Sequence, residues 1–371
     1  MRDKAIEGLT TLACREDWRS SEHGDLIVGR VKAALSDENP VVRMTATRAF
    51  RALYADDAAP DRIRMLSELL NSEPNRNVKN VLLSILGTEA HESPREVDDV
   101  LRELANEPKK PTEEAQKDED EGVDLAVDIL TFLAMNHQTP FATDSMRKWA
   151  ATATQSAEAL RAIHFVRDYL APTADPIVQH RAFGIVATAA ETSLERWTRN
   201  PEEHAPNADL SSTDLDELKQ ALKVLESIAN QIYFASGAFD IKPSDDAPVP
   251  DARHERFADL AVPVLITCAR TKVAPIVHYV VETLVFLAPL DERRALLAVA
   301  EAVASDGAYA YDSLSSDVVI PYLKRLVAEH RQLVLFDEGG VAAFRKLLSA
   351  FASAGNESAL ELAFTFADVF R

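Results

Sequence analysis

Nine histidines, two cysteines and 60 carboxylates are the residues from which this 371-residue chain could build chemistry, and their spacing decides what they can do. Asp118-Glu119-Asp120-Glu121-Gly122 begins like a calcium loop, in which alternate carboxylates ring the ion. Glycine falls one position too early, however, and Ile129 stands where the loop needs a bidentate glutamate. No His-Glu-x-x-His pair puts two imidazoles on one helix face for zinc. The 11 glycines are too dispersed to write a dinucleotide-binding fingerprint, a phosphate loop or a nucleophile elbow. Cys14 and Cys268 can form neither a disulfide framework nor a four-cysteine zinc site. Both lie in apolar helical surroundings, which reads as two buried free thiols in a reducing cytoplasm. These residues imply no cofactor, no metal and no enzyme.

The remaining polar residues have structural readings of their own. His164, His180 and His278 sit on helical stretches with apolar neighbours and read as core or groove histidines. Asp56-Asp57, Asp98-Asp99 and Asp245-Asp246 read as loop and cap residues, because nothing near them in sequence would raise one carboxyl pKa for acid–base work. Trp18, Trp149 and Trp197 read as packing residues ahead of partner anchors. Arg43 and Arg51 stand eight apart, two turns up one side of a helix, with Arg48 on the neighbouring side. They form either a basic spot for a partner or ion pairs with Asp37, Asp56 or Asp57, and the ion pairs are the favoured reading.

The charge is −20, from 40 basic and 60 acidic side chains. Residues 105–124 hold 3 basic against 8 acidic side chains, and no other large segment is net positive either. A phosphate-backbone binder needs a basic stripe to displace counterions, so nucleic acid and anionic membrane surfaces are disfavoured as partners. The most apolar stretches are broken by polar residues such as His278 and Glu282 before they reach bilayer length, and the first residues lack the apolar core of a secretory signal. A soluble cytoplasmic protein is expected.

The elements that must position these residues are helices. Apolar residues recur at helical spacing nearly everywhere, for example over 24–36, 40–54, 75–90, 156–170, 213–235 and 273–288. Low glycine, 11 of 371 residues, also speaks against barrels, sandwiches and nucleotide-binding α/β folds. Three stretches, 107–121, 198–212 and 237–252, read as long loops. The first is an acidic, disordered one and the third a Pro/Asp-rich tether. The domains expected are 1–106, 122–236 and 253–371, each a run of helical repeats, joined by the loop at 107–121 and the linker at 237–252.

The sequence also repeats itself. Pro40-Val41-Val42-Arg43, Pro176-Ile177-Val178-Gln179 and Pro275-Ile276-Val277-His278 each read Pro, aliphatic, Val, polar, with proline in the first helical turn where its missing N–H costs nothing. Apolar residues follow at shared offsets: Val42, Ala46, Ala49, Phe50 and Leu53 in the first, and Val277, Val281, Leu284, Val285 and Ala288 in the third. The prolines lie 136 and then 99 residues apart, close to four and three helical-hairpin periods.

These residues resemble the HEAT-repeat (armadillo-like) α-solenoid family, whose second helix opens with Asp, then Pro, then Val-Arg six residues after the Asp. Asp37, Pro40, Val42, Arg43, Ala46 and Ala49 match that pattern, and Glu73, Val78 and Lys79 match it in part. Gln179 and His278 stand where the basic residue would be. The resemblance implies an all-α fold, an α-solenoid of roughly eight antiparallel helical hairpins in a right-handed superhelical stack. It implies a non-enzymatic scaffold or adaptor, or a regulatory module of a larger bacterial complex, with a protein or peptide partner in the concave groove. Arg43, Arg48, Arg51, Gln179 and His278 are the candidate partner-binding residues. A HEAT-like DNA glycosylase or other DNA-repair protein is the alternative, and the acidic balance argues against it.

Overall fold

In a computed structural model of the chain, the described residues are 2–106, 120–199, 211–240, 249–303, 309–312 and 315–366. Among them every regular element is a helix. The chain divides into two compact units, Met1–Met146 and Arg147–Arg371, and the division falls inside a helix.

The first unit holds α1 (Arg2–Ala13), α2 (Glu16–Arg19), α3 (Gly24–Ala34), α4 (Pro40–Thr47), α5 (Phe50–Leu53), α6 (Ala59–Ser72), α7 (Arg76–Glu89), α8 (Pro94–Asn106), α9 (Asp120–Asn136) and the start of α10 (Pro140–Ala151). Helices α3 and α4, α6 and α7, and α8 and α9 pair as hairpins, while α1, α4, α7 and α9 pack successively as one layer. The capping chemistry explains the helix starts. Asn39 accepts from the Val41 N–H at 2.9 Å with Pro40 in the first turn, and Asn75 accepts from the Val78 N–H at 3.3 Å. The span expected as one helix, 40–54, breaks after Thr47. There the Arg48 and Ala49 N–H groups donate three residues back, to the Thr45 and Ala46 carbonyls, and the helix resumes at Phe50. Inward-facing Ile27, Val31, Val42, Ala46, Ala49 and Leu53 form one core cluster.

The turns of this unit are tied by guanidinium groups. Arg43 donates to both oxygens of Glu73 at 2.7 and 2.6 Å and to the Asp37 carbonyl at 2.7 Å. Glu73 also accepts from the Asn75 N–H at 2.7 Å, so one carboxylate holds the next turn and the previous hairpin together. Burial of the Glu73 carboxyl opposes ionisation, but the bonds from Arg43 and Asn75 outweigh it and hold its pKa below the ordinary value. Arg62 reaches the fully buried Glu89 at 2.6 Å, Glu92 at 2.9 Å and the Asp57 carbonyl at 2.8 Å. Buried Asp98, on α8, accepts from the Thr139 hydroxyl and the Phe141 and Ala142 N–H groups, and so caps α10 from outside that helix.

The second unit continues with α11 (Ala157–Phe165), α12 (Arg167–Leu170), α13 (Pro176–Arg199), α14 (Ser212–Ser236), α15 (Ala252–Ala269), α16 (Ala274–Leu287), α17 (Glu292–Ala302), α18 (Ser315–Glu329), α19 (Arg331–Phe336), α20 (Glu338–Ser353) and α21 (Glu357–Thr365). Two layers form: α11, α14, α16 and α18 in one, and α13, α15, α17 and α20 in the other. The unit is thus a stack of helical hairpins, as a solenoid requires. The two later motif copies part company here. Pro176 opens α13 and Pro275 opens α16, helices of opposite layers, so their 99-residue offset does not relate equivalent helices. Proline with an apolar face marks a helix start in either layer.

Several sequence expectations change. Cys268 is buried, and burial pushes its thiol up to about 12, but Cys14 is exposed. Ala13 beside Cys14 is fully buried, so one step around the helix separates core from solvent. Most of the loops lie outside the described residues: 107–119 of 107–121, 200–210 of 198–212, and 241–248 of 237–252. Helices α13, α14 and α15, which flank the latter two, pack on one another. At the far end Phe366 packs edge-on to Phe344 at 5.9 Å, closing that hairpin, whereas Phe364 is exposed and Phe370 lies outside the described residues. No described helix is long and apolar enough to cross a membrane.

A thiol-titrating disulfide reagent should modify Cys14 in the native protein and Cys268 only after unfolding. Native modification of both would contradict this burial.

Candidate functional site

Of the five candidate residues, three are engaged internally. Arg43 is held by Glu73, and Arg51 pairs with Glu89 at 3.0 Å and Glu92 at 3.1 Å. Arg43 and Arg51 are thus ion-paired, but with carboxylates from the next hairpins rather than with Asp56 or Asp57. Of the three, only Arg48 is exposed without an ion pair among the described residues, so the three arginines do not form a shared basic spot. Gln179 is fully buried. Its amide donates to the Leu170 and Ala171 carbonyls at 3.0 and 2.8 Å, and its oxygen accepts from Arg256 at 2.6 Å. It repeats the internal duty of Arg43, and its side chain is not on the surface. His278 alone reaches a surface where several functional groups converge.

That surface is built by the layer α11–α14–α16. Ser211 caps α14, its hydroxyl accepting from the Asp214 N–H at 3.1 Å. At the other end Gly237, at φ +85°, takes the left-handed conformation that ends the helix and turns the chain back. The turn lays Phe239 on Phe234, with ring centroids 5.3 Å apart. Ser227, Gln231 and Phe234 follow at four and three residues, one face of α14. His278, Tyr279 and Glu282 share one side of α16.

The result is a continuous strip. Its first end is polar and basic: Arg167 donates to Gln231 at 2.6 Å and covers the Phe234 ring at 5.2 Å, and His164 lies 3.3 Å from both Ser227 and Gln231. Desolvation, then Arg167 and Arg161, holds the His164 pKa below the ordinary value although the residue's outer edge is exposed. The middle is aromatic, with Tyr233 against Phe234 at 5.3 Å and against Tyr279 at 5.4 Å. The far end centres on Glu282. His278 Nε2 lies 3.5 Å from that carboxylate, Tyr233 is close enough to feel its charge, and Tyr309, in a short 3-10 turn, places its hydroxyl 3.5 Å from His278 Nδ1. Burial, with Glu282, pushes Tyr233 up to about 12.

Hydroxyl, imidazole and carboxylate in this order invite comparison with a nucleophile, its base and its orienting acid. The Tyr309 hydroxyl fails that role. It is 2% exposed, and burial, Glu282 and Asp312 all raise its pKa, which keeps it protonated and a hydrogen-bond donor. No group of three His, Cys, Asp or Glu side chains among the described residues could hold a metal. What the strip can do is present ring faces, donors and one carboxylate to a ligand. Sequence reasoning picked out His278 and missed Tyr233, Phe234, Phe239, Tyr279, Glu282 and Arg167. The available signal was aromatic placement: of only seven tyrosines, Tyr233, Tyr279 and Tyr309 meet here.

No family model matches the chain, and no curated protein does. Among solved structures it is similar to Kap121p in its complex with Pho4p, at 11% identity and a TM-score of 0.38, covering 93% of this chain and 39% of that one. It is also similar to two engineered proteins solved by the Northeast Structural Genomics Consortium. One is matched at 15% identity and a TM-score of 0.26, with 94% and 95% of the two chains covered. The other stands at 14% identity and a TM-score of 0.20, with 88% and 97% covered. At these scores the fold described above rests on the chain's own contacts and the function on its own side chains.

The two motif positions should separate in urea unfolding. Gln179→Ala, which leaves two carbonyls and Arg256 without their buried partner, should cost about 2 kcal/mol. His278→Ala, at the half-buried position, should cost less than about 1 kcal/mol. Equal losses would contradict the assignment of one to the interior and the other to the strip.

Proposed function

We propose that the chain is a non-enzymatic interaction scaffold or adaptor that binds a protein or peptide partner along the α14–α16 strip. The observation that carries the reading is the strip itself: half-exposed rings on successive helices, interleaved with polar groups that are positioned but chemically unreactive. Tyrosine and arginine are the residue types that dominate binding energy at protein interfaces, because rigid amphipathic rings bury area at small entropic cost. Phe239 is 48% exposed and Tyr311 69%, so aromatic surface remains open at both ends of this region. A stack of hairpins suits this role, since it supplies a long surface without any catalytic centre. A net charge of −20 and a carboxylate at one end of the strip both disfavour the phosphate backbone of DNA as the partner.

The test is selection from a random peptide display library on the full chain, followed by affinity measurement on the Tyr279→Ala, Phe239→Ala double variant. Binders selected on the unaltered protein should bind the double variant at least roughly tenfold more weakly. The thermal midpoint should stay close to that of the unaltered chain. Absence of binders, unchanged affinity, or retention on duplex DNA at low salt would overturn the proposal.

A further inference from the structure

The second unit contains one set of side chains twice, once complete and once missing a member. In the complete copy Glu292, at the start of α17, takes Arg325 at 2.9 Å and His330 at 3.6 Å. The Arg325 guanidinium also lies 5.4 Å from the centre of the Tyr322 ring. Carboxylate, histidine, tyrosine and a cation are thus gathered in one group, and the Glu292 side chain is 12% exposed. In the other copy Glu282 has His278 at 3.5 Å, with Tyr233, Tyr279 and Tyr309 adjoining. Among the described residues no lysine or arginine pairs with it, and its side chain is 27% exposed, more than twice the figure for Glu292.

Elsewhere the chain covers its own rings with its own cations. Lys32 lies 4.3 Å from the centre of Tyr54, and Arg167 lies 5.2 Å from Phe234 at the opposite end of the strip. An aromatic face carries negative potential, and a partly buried carboxylate beside it deepens that potential where water is scarce. A cation arriving there makes a charge-assisted hydrogen bond and a ring contact together.

We infer that Glu282, with Tyr233, Tyr279 and His278 beside it and buried Tyr309 behind His278, is the receptor for a lysine or arginine side chain of the bound peptide, the cation that the chain supplies for itself at Glu292. The inference rests on the strip being the peptide site and adds to it the chemistry of the anchor. It also sets a direction along the strip. Arg167 at Phe234 repels a second cation, so the basic residue lies at the α16 end and neutral or acidic residues at the α11 end.

The peptides selected on the unaltered chain provide the probe. They should carry a lysine or arginine, and replacing that residue with norleucine or citrulline should weaken binding roughly tenfold. Glu282→Gln, which keeps the shape and removes the charge, should weaken the parent peptides by a similar factor without moving the thermal midpoint. Binders that lack a basic residue, or that bind Glu282→Gln as tightly as the unaltered chain, would overturn the inference while leaving the strip as the site. Binders insensitive to the Tyr279→Ala, Phe239→Ala double variant would overturn the strip, and the inference with it.

Discussion

A helix end presents carbonyl groups that no turn of the helix can satisfy, and a stack of hairpins multiplies such ends inside the molecule. In this chain the carbonyls of several turns just beyond those ends are met by guanidinium groups. Arg43 bonds the Asp37 carbonyl and the Glu73 carboxylate, Arg62 bonds the Asp57 carbonyl and Glu89, and Arg256 bonds the Pro172 and Ala174 carbonyls together with Gln179. Each therefore ties a turn to a neighbouring hairpin. A planar donor with five N–H groups can serve two partners at once, which a lysine cannot do with the same geometry. Burying charge is costly, and a buried ion pair adds little net stability over an apolar pair. Its role here is register: at these junctions one hairpin meets the next at the offset where the turn carbonyls and the arginine's side-chain partner are both satisfied.

That use of arginine shapes the surface. Arg43, Arg62, Arg196 and Arg325 turn inward to Glu73, Glu89, Glu217 and Glu292, so these pairs are spent inside the structure and the surface charge is left to the remaining side chains. Glu282 departs from the rule: it is a partly buried carboxylate among rings, at one end of the aromatic strip, with no arginine paired to it among the described residues.

The fold was legible and the site was not, for a physical reason. Helical periodicity and capping residues are local, so Asn39-Pro40 and Asn75 announce α4 and α7 within a few residues. The Asp37-to-Arg43 spacing even anticipates a turn acceptor, and Glu73 occupies the same place one hairpin later, where its Oε1 accepts from Asn75 as Asp37 Oδ1 accepts from Asn39 at 2.8 Å. The strip is assembled from α11, α12, α14, α16 and a 3-10 turn, with no fixed spacing to find. Gln179 was misjudged because its partner, Arg256, stands 77 residues away. Cys14 was misjudged because one residue of helical phase decides exposure, and apolar neighbours in sequence do not reveal that phase.

The latch can be measured directly by a double-mutant cycle in urea unfolding on Arg43→Ala, Glu73→Ala and the pair. Each single change leaves a buried charge without its partner and should cost about 3 kcal/mol. The double change should cost less than the sum, with a coupling of about 1.5–3 kcal/mol. Additive losses, with coupling near zero, would contradict the claim that the arginine latch sets how one hairpin meets the next.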